Sequence, residues 1–273
     1  MKEINVHLVS DSTGETVSTI SRAVMSQFEG VEIKEYVWSL IRTEEMLEMV
    51  LNSIEQNPGI VMYTIVEKNL REKLKEHCRK LNTPFIPVLA RVVQEVSSYL
   101  NMKATPVPGR QHELDEDYFY RIDAMNFSIS HDDGQSSWDI EDADIILVGV
   151  SRTSKSPTCV YLAHRGYKAA NIPFVQGCPL PCDIEKLTKP MVIGLTINPD
   201  RLVHIRKNRL MYLTEDQDTS YVDIEKIREE VTAARKLFTR NNWPVIDVTR
   251  KSVEETSARI IKLYKDRKCK LSE

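Results

Sequence analysis

The sequence predicts an α/β fold with two α/β domains and mainly parallel sheets, the C-terminal one a P-loop kinase-like domain. Three observations carry this reading. Short apolar runs alternate with amphipathic stretches of helical period through the first hundred residues; a polar break bearing prolines and a glycine follows; the alternation restarts near Asp144. The 273 residues suffice for one large or two ordinary domains, at roughly 150 residues each.

In order along the chain, strand-like runs fall at 5–9, 32–38, 60–64 and 85–88. Between them, residues 43–56 place Met46, Leu47, Val50, Leu51 and Ile54 on one helical face, and residues 68–81 do the same with Leu70, Leu74 and Cys78. Strand, helix, strand in this order implies βαβ crossovers and parallel pairing. Residues 101–117 hold Pro106, Pro108 and Gly109, the composition of a connector. A short helix is expected over about 115–125, before the turn-forming Asp133-Gly134. Later strands are expected at 145–148, 172–175, 192–197 and 245–248, with the longest helix over 223–241. The expected division is an N-terminal α/β domain over 1–110, a connector over 111–143 and a nucleotide-binding domain over 144–273. No internal repeat is visible.

Composition narrows the function. A formal net charge of −3 leaves no basic field for a nucleic acid backbone. No run approaches the roughly 20 apolar residues that cross a bilayer, and the N-terminus lacks the pattern of a signal peptide. Five scattered cysteines do not make a secreted disulfide scaffold. Cys178 and Cys182 form a C-x3-C pair with prolines between them and no second pair, so no metal site is expected there. The chain reads as cytoplasmic, with no nucleic acid or membrane partner. A homo-oligomer is left open.

The strongest chemical signal is Gly149-Val150-Ser151-Arg152-Thr153-Ser154-Lys155-Ser156, which follows the apolar run 145–148 and opens a helical stretch. Strand, loop with Lys-Ser, then helix is the setting of a phosphate-binding loop. Backbone N–H groups and the helix N-terminus can face phosphate oxygens. Lys155 can bridge terminal phosphates and the Ser156 hydroxyl can bind magnesium. The common pattern has glycine where Ser154 stands, a position that needs positive φ. A basic, hydroxyl-rich turn capping a helix would use the same residues.

Three weaker candidates accompany it. Residues 10–16, Ser-Asp-Ser-Thr-Gly-Glu-Thr, follow the first strand and could hold a second phosphate, with Asp11 as a base; Ser12 and Glu15 also fit a plain capping box. His131, Asp132 and Asp133 could supply a general base or a metal carboxylate, or form a solvated turn. Arg206 and Arg209, three apart on one helical face, could meet a phosphate or lie on an ordinary charged surface. Asp247 ends an apolar strand, where a magnesium-holding aspartate would stand. The basic stretch 262–270 reads as a solvated tail.

Taken in order, residues 10–16, 131–134, 149–157 and 198–202 resemble the signature segments of the pyruvate, phosphate dikinase regulatory proteins. The likeness spans nearly the whole chain. In that family the loop commonly has serine before the lysine, as Ser154 stands here, whereas Ser156 departs from the expected threonine. A sister branch acting on phosphoenolpyruvate synthase more often carries Cys-Gly-Lys-Thr. The resemblance implies a bifunctional serine/threonine-protein kinase and phosphorylase. ADP is the donor that phosphorylates and inactivates an active-site threonine of the dikinase. Inorganic phosphate removes that group, releasing pyrophosphate and active dikinase. Mg2+ is the expected companion of the ADP. Lys155, Asp11 and Asp132 are the expected catalytic residues, and Gly149 through Ser156 the nucleotide site. The same chemistry on phosphoenolpyruvate synthase, or a small-molecule P-loop kinase, are the alternatives.

Overall fold

The computed structural model describes residues 2–105, 107–110, 116–135, 137–180, 184–213 and 219–271. The chain divides into two compact units, Met1–Glu113 and Leu114–Glu273. Both are α/β, each around a four-stranded sheet whose assigned pairings are all parallel.

The first unit runs β1 (Lys2–Ser10), α1 (Glu15–Met25), β2 (Val31–Trp38), α2 (Glu44–Gln56), β3 (Gly59–Thr64), α3 (Lys68–Lys80), β4 (Phe85–Pro87) and α4 (Ala90–Leu100). Its strands are ordered β2-β1-β3-β4. Alternation along β1 and β3 splits the core in two, because successive side chains leave opposite faces of a strand. Val6, Leu8 and Met62 pack with Val17 and Met25 of α1. On the other face Val9, Val61 and Tyr63 pack with the apolar stripes of α2 and α3, led by Leu47, Ile54 and Leu74. Thr43 caps α2 by accepting the Met46 N–H at 3.3 Å, and the Glu67 carboxylate caps α3 through Asn69 and Leu70. The sequence did not single out α4, whose valines are exposed rather than buried.

The second unit begins with α5 (Glu116–Ser130) and continues β5 (Ile145–Gly149), α6 (Lys155–His164), β6 (Ala169–Pro173), β7 (Met191–Thr196), α7 (Pro199–Leu213), α8 (Ile224–Arg240), β8 (Val245–Asp247) and α9 (Val253–Leu271). The stretch expected as a connector, 111–143, therefore carries a 15-residue helix. It is tied to β6, since Ser128 Oγ donates to the Ala169 carbonyl at 2.7 Å. Ile145, Ile146, Leu147 and Val148 are fully buried and β7 is buried throughout. Such continuous apolar runs are what a parallel strand covered on both faces requires. Strand β6 starts three residues before the expected 172 because Ala169, Ala170 and Asn171 give little apolar signal. Among the described residues the longest helix is α9, at 19 residues against 17 for α8. The stretch expected as a solvated tail is part of α9. There Tyr264 is buried with its hydroxyl on Asp144, and Arg267 Nη1 donates to the Pro190 carbonyl at 2.8 Å.

The strand order of the second sheet is β6-β5-β7-β8. Both sheets thus place their first strand between the second and third, a topological repeat that the sequence conceals. In open α/β sheets the crevice beyond the carboxyl ends of the strands, where the order reverses, is the usual ligand position. Here the reversals fall at β1/β3 and β5/β7. No helix among the described residues is long and apolar enough to cross a membrane.

Candidate active site

The loop 149–156 leaves β5 at the β5/β7 reversal and runs into α6. Gly149 is required by close approach: a Cβ there would come within 2.8 Å of both the Leu195 carbonyl oxygen and Thr153 Oγ1. The loop then takes two left-handed turns without glycine, at Arg152 (φ 71°) and Ser154 (φ 60°). Such conformations cost about 1–3 kcal/mol each and persist where surroundings enforce them. Buried Thr153 donates its hydroxyl to the Val150 carbonyl at 2.9 Å, and Lys155 Nζ donates to the same oxygen at 3.1 Å. Ser154 precedes α6 without a side-chain cap, so the first N–H groups of the helix lack that partner.

Lys155 is only 6% exposed, not the open loop lysine that its setting suggests. Burial depresses its pKa below the usual lysine range, opposed chiefly by the carboxylate of Asp133, then by Cys159, Asp132 and Glu230. The structure therefore brings the 131–134 segment to the loop. The Asn171 N–H donates to the His131 carbonyl at 3.2 Å, fixing that segment beside β6. Asn171 Nδ2 donates both to Asp132 Oδ1 and, at 3.0 Å, to Ser156 Oγ. One asparagine thus joins Asp132 to the Lys-Ser end of the loop. Its Oδ1 is buried and has no hydrogen-bond partner among the described residues.

His131 is committed elsewhere. It stacks on Phe127 at 3.8 Å, its Nδ1 faces the Phe127 carbonyl at 2.8 Å, and its Nε2 faces Asp139 Oδ1 at 2.8 Å. Both ring nitrogens are engaged, which leaves the two aspartates as the chemically available members of the trio.

Asp11 belongs to the other unit. It is buried beyond the end of β1, where Oδ2 accepts the Val66 N–H at 2.6 Å, and burial raises its pKa. With Ser10, Thr64, Gly109 and Arg110 it lines a cavity of about 140 Å3 at the β1/β3 reversal. The Ser12–Glu15 capping box does not form. Gly14, at φ 82°, is the N-cap of α1 and provides no side-chain bond. Asp247 is spent on its own turn, accepting the Thr249 N–H at 2.8 Å, and β8 is separated from β5 by β7. Arg206 is not on a solvated face: it is 3% exposed and paired with Glu230 at 2.8 Å, while Arg209 is exposed. Cys178 is exposed, Cys182 lies outside the described residues, and no metal-binding group of three or more His, Cys, Asp or Glu occurs among the described residues.

Comparison with known proteins matches residues 6–261 to the family model described as kinase/pyrophosphorylase. The chain belongs to the kinase/pyrophosphorylase family. Relatives in this family include a protein of Paramagnetospirillum magneticum, 50% identical over 97% of this chain and 85% of its own length. Another, from Erythrobacter litoralis, is 48% identical over 98% of this chain and 96% of its own. A third, from Caulobacter vibrioides, is 50% identical over 95% and 82%. Each is named "Putative pyruvate, phosphate dikinase regulatory protein". In this kinase/pyrophosphorylase chain, Asn171 is the residue that sequence reasoning missed. An asparagine after two alanines carries no signal until the strand order puts it beside Ser156.

Proposed function

We propose that this chain is a bifunctional cytoplasmic regulator of pyruvate, phosphate dikinase. It inactivates the dikinase by ADP-dependent phosphorylation of an active-site threonine and reactivates it by phosphate-dependent removal of that group. The observation that carries the reading is the junction of Lys155, Ser156, Asn171 and Asp132, in a chain about half identical to proteins named for that regulation.

In the kinase direction the loop N–H groups and Lys155 hold the ADP phosphates, Lys155 exchanging the Val150 carbonyl for phosphate oxygen. The threonine oxygen attacks the terminal phosphorus of ADP, the bond to the bridging oxygen breaks, and AMP leaves. Asp132 takes the threonine proton. In the phosphorylase direction an inorganic phosphate oxygen attacks the phosphothreonine phosphorus, pyrophosphate forms, and Asp132 returns a proton to the departing threonine oxygen. Positioning and charge neutralisation carry most of the rate in such transfers.

Asp132 and the Ser156 hydroxyl, brought together by Asn171 Nδ2, are hard oxygen donors of the kind that would hold Mg2+. When bound, that ion would neutralise charge on the phosphates.

The reading is tested by incubating the chain with dikinase and either ADP or ATP, then assaying phosphothreonine. Threonine phosphorylation with ADP alone is expected. Transfer to a metabolite without any protein acceptor would overturn the protein-kinase reading, and transfer to phosphoenolpyruvate synthase but not dikinase would reassign the target.

Ser154 gives a second test. At φ 60°, glycine relieves strain, whereas a β-branched side chain is disfavoured there and would obstruct the approach to phosphate. ADP affinity by calorimetry is expected to be retained in Ser154→Gly and lost at least ~10-fold in Ser154→Ile. Equal affinity for all three proteins would mean that the loop does not wrap phosphate.

A further inference from the structure

Arg206 on α7 touches three parts of the second unit at once. Nη2 donates to the Ser151 carbonyl at 3.3 Å and to Glu230 Oε2 of α8 at 2.8 Å. Nη1 donates to the Tyr221 carbonyl at 3.3 Å, and the guanidinium lies over the Tyr221 ring, 4.6 Å from its centroid. The Tyr221 hydroxyl in turn lies 3.3 Å from Ser151 Oγ. Ser151 is thus held at its carbonyl by the arginine and at its hydroxyl by the tyrosine that the arginine supports. Among the described residues Arg206 Nε is buried and has no partner, so Ser151, Tyr221 and Glu230 are the contacts seen to orient the guanidinium.

The loop needs such a hold. Val150 O is fixed by Thr153 and Lys155, and Ser151 O by Arg206. Fixing consecutive carbonyls limits how the peptides between them can rotate, and so sets the direction of their N–H groups. The left-handed turns at Arg152 and Ser154 lie just beyond these fixed carbonyls. Within the loop itself no glycine after Gly149 eases them. Strain of this kind survives only where neighbours over-determine it.

We propose that Arg206 is a positioning residue for the loop 149–156: a strut between α8, Tyr221 and Ser151 that keeps the loop in its phosphate-receiving form before any ligand arrives. The inference rests on reading 149–156 as the phosphate site. Arg206 itself need not touch the ligand. Arginine is needed because its planar fork serves several acceptors while stacking on a ring; a lysine ammonium would keep the charge opposite Glu230 but could not do both.

The test uses the full chain without ligand, followed by hydrogen exchange of the peptide covering 149–156, and calorimetry with ADP and with inorganic phosphate as probes. The variants are Arg206→Lys, Tyr221→Ala and the double substitution Arg206→Met with Glu230→Gln, which leaves no unpaired buried charge. Arg209→Gln, exposed on the same helix, is the control. Exchange in the loop is expected to rise at least ~10-fold while β5 and β7 stay protected, and ADP affinity to fall ~10- to 100-fold, the range for partners one shell removed from a binding group. Wild-type loop exchange in Arg206→Lys would overturn the strut, because charge balance alone would then suffice. So would a rise spread evenly over β5 and β7, which marks a merely structural role. Should the double variant fail to fold, Tyr221→Ala decides by the same measure. Faster local exchange in a protein whose wild type binds neither ADP nor phosphate would uphold the strut and sink the phosphate-site reading, so the two failures stay apart.

Discussion

Lys155→Ala is expected to lower both the kinase and the phosphorylase rates by ~100-fold or more, the scale of losing one key electrostatic stabiliser, while the chain stays folded. The second half follows from burial. The folded state depresses the lysine pKa, so the charged form is disfavoured by folding. That cost is fully present below the folded-state pKa and disappears as pH rises from there to the unfolded value. Wherever the buried lysine is charged the wild type carries it, and alanine removes it. The hydrogen bond that is lost reaches Val150 O, which keeps its bond from Thr153 Oγ1. The urea midpoint of Lys155→Ala is accordingly expected to stay close to that of the wild type, relief of the buried charge offsetting the lost packing of the side-chain stem. A group that costs stability where it sits and serves charge neutralisation is the usual mark of function held against folding. Near-normal rates in both directions would dismiss the loop assignment; lost activity together with a collapsed midpoint would show that Lys155 is structural.

How much of this was legible depends on the range of the forces involved. The strands β5 and β7 announce themselves because parallel strands covered on both faces must be apolar at every position, as at Ile145 to Val148. The helices α2 and α3 announce themselves through their stripes and caps, both local in sequence. The loop 149–156 was legible for the same reason, being strand, turn and helix within a few residues. What stayed hidden is set by long-range pairing. Asn171 gains its place only because β6 lies directly against β5, carrying it to Ser156. Arg206 looks like a surface residue because its neighbours Lys207, Asn208 and Arg209 are polar, and its burial depends on Glu230 and Tyr221, both distant in sequence. The shared strand order of the two sheets left no trace in the sequence, since topology constrains the placement of strands and not their side chains. In α9 the charges around Tyr264 masked a residue that docks on Asp144.

The two opposing reactions are expected to use one site, and Asp132 and Asp11 decide it. Asp132 is joined through Asn171 to Ser156, in the same unit as Lys155. Asp11 lies in the N-terminal unit with its carboxylate on the Val66 N–H, and lines a cavity with Ser10 and Thr64 of that unit. If Asp132 moves the proton in both directions, Asp132→Asn should lower both rates together by ~100- to 10,000-fold, the usual worth of a general acid–base group. It should spare most of the binding, because asparagine can still bond to Asn171. ADP should then inhibit the phosphorylase, and phosphate or pyrophosphate the kinase, since all of them would occupy the loop. Asp11→Ala should keep both rates within about threefold, its cost appearing instead as about 1–3 kcal/mol of stability from the unpaired Val66 N–H. The rival arrangement places one reaction at residues 10–16 and the other at 149–156. It predicts that Asp11→Ala silences one activity and Asp132→Asn the other, with no competition between ADP and phosphate. Measuring both rates for both variants, with circular dichroism to confirm folding, separates the two. Parallel losses in Asp132→Asn with Asp11→Ala spared would establish the shared site, and a clean split between the variants would refute it.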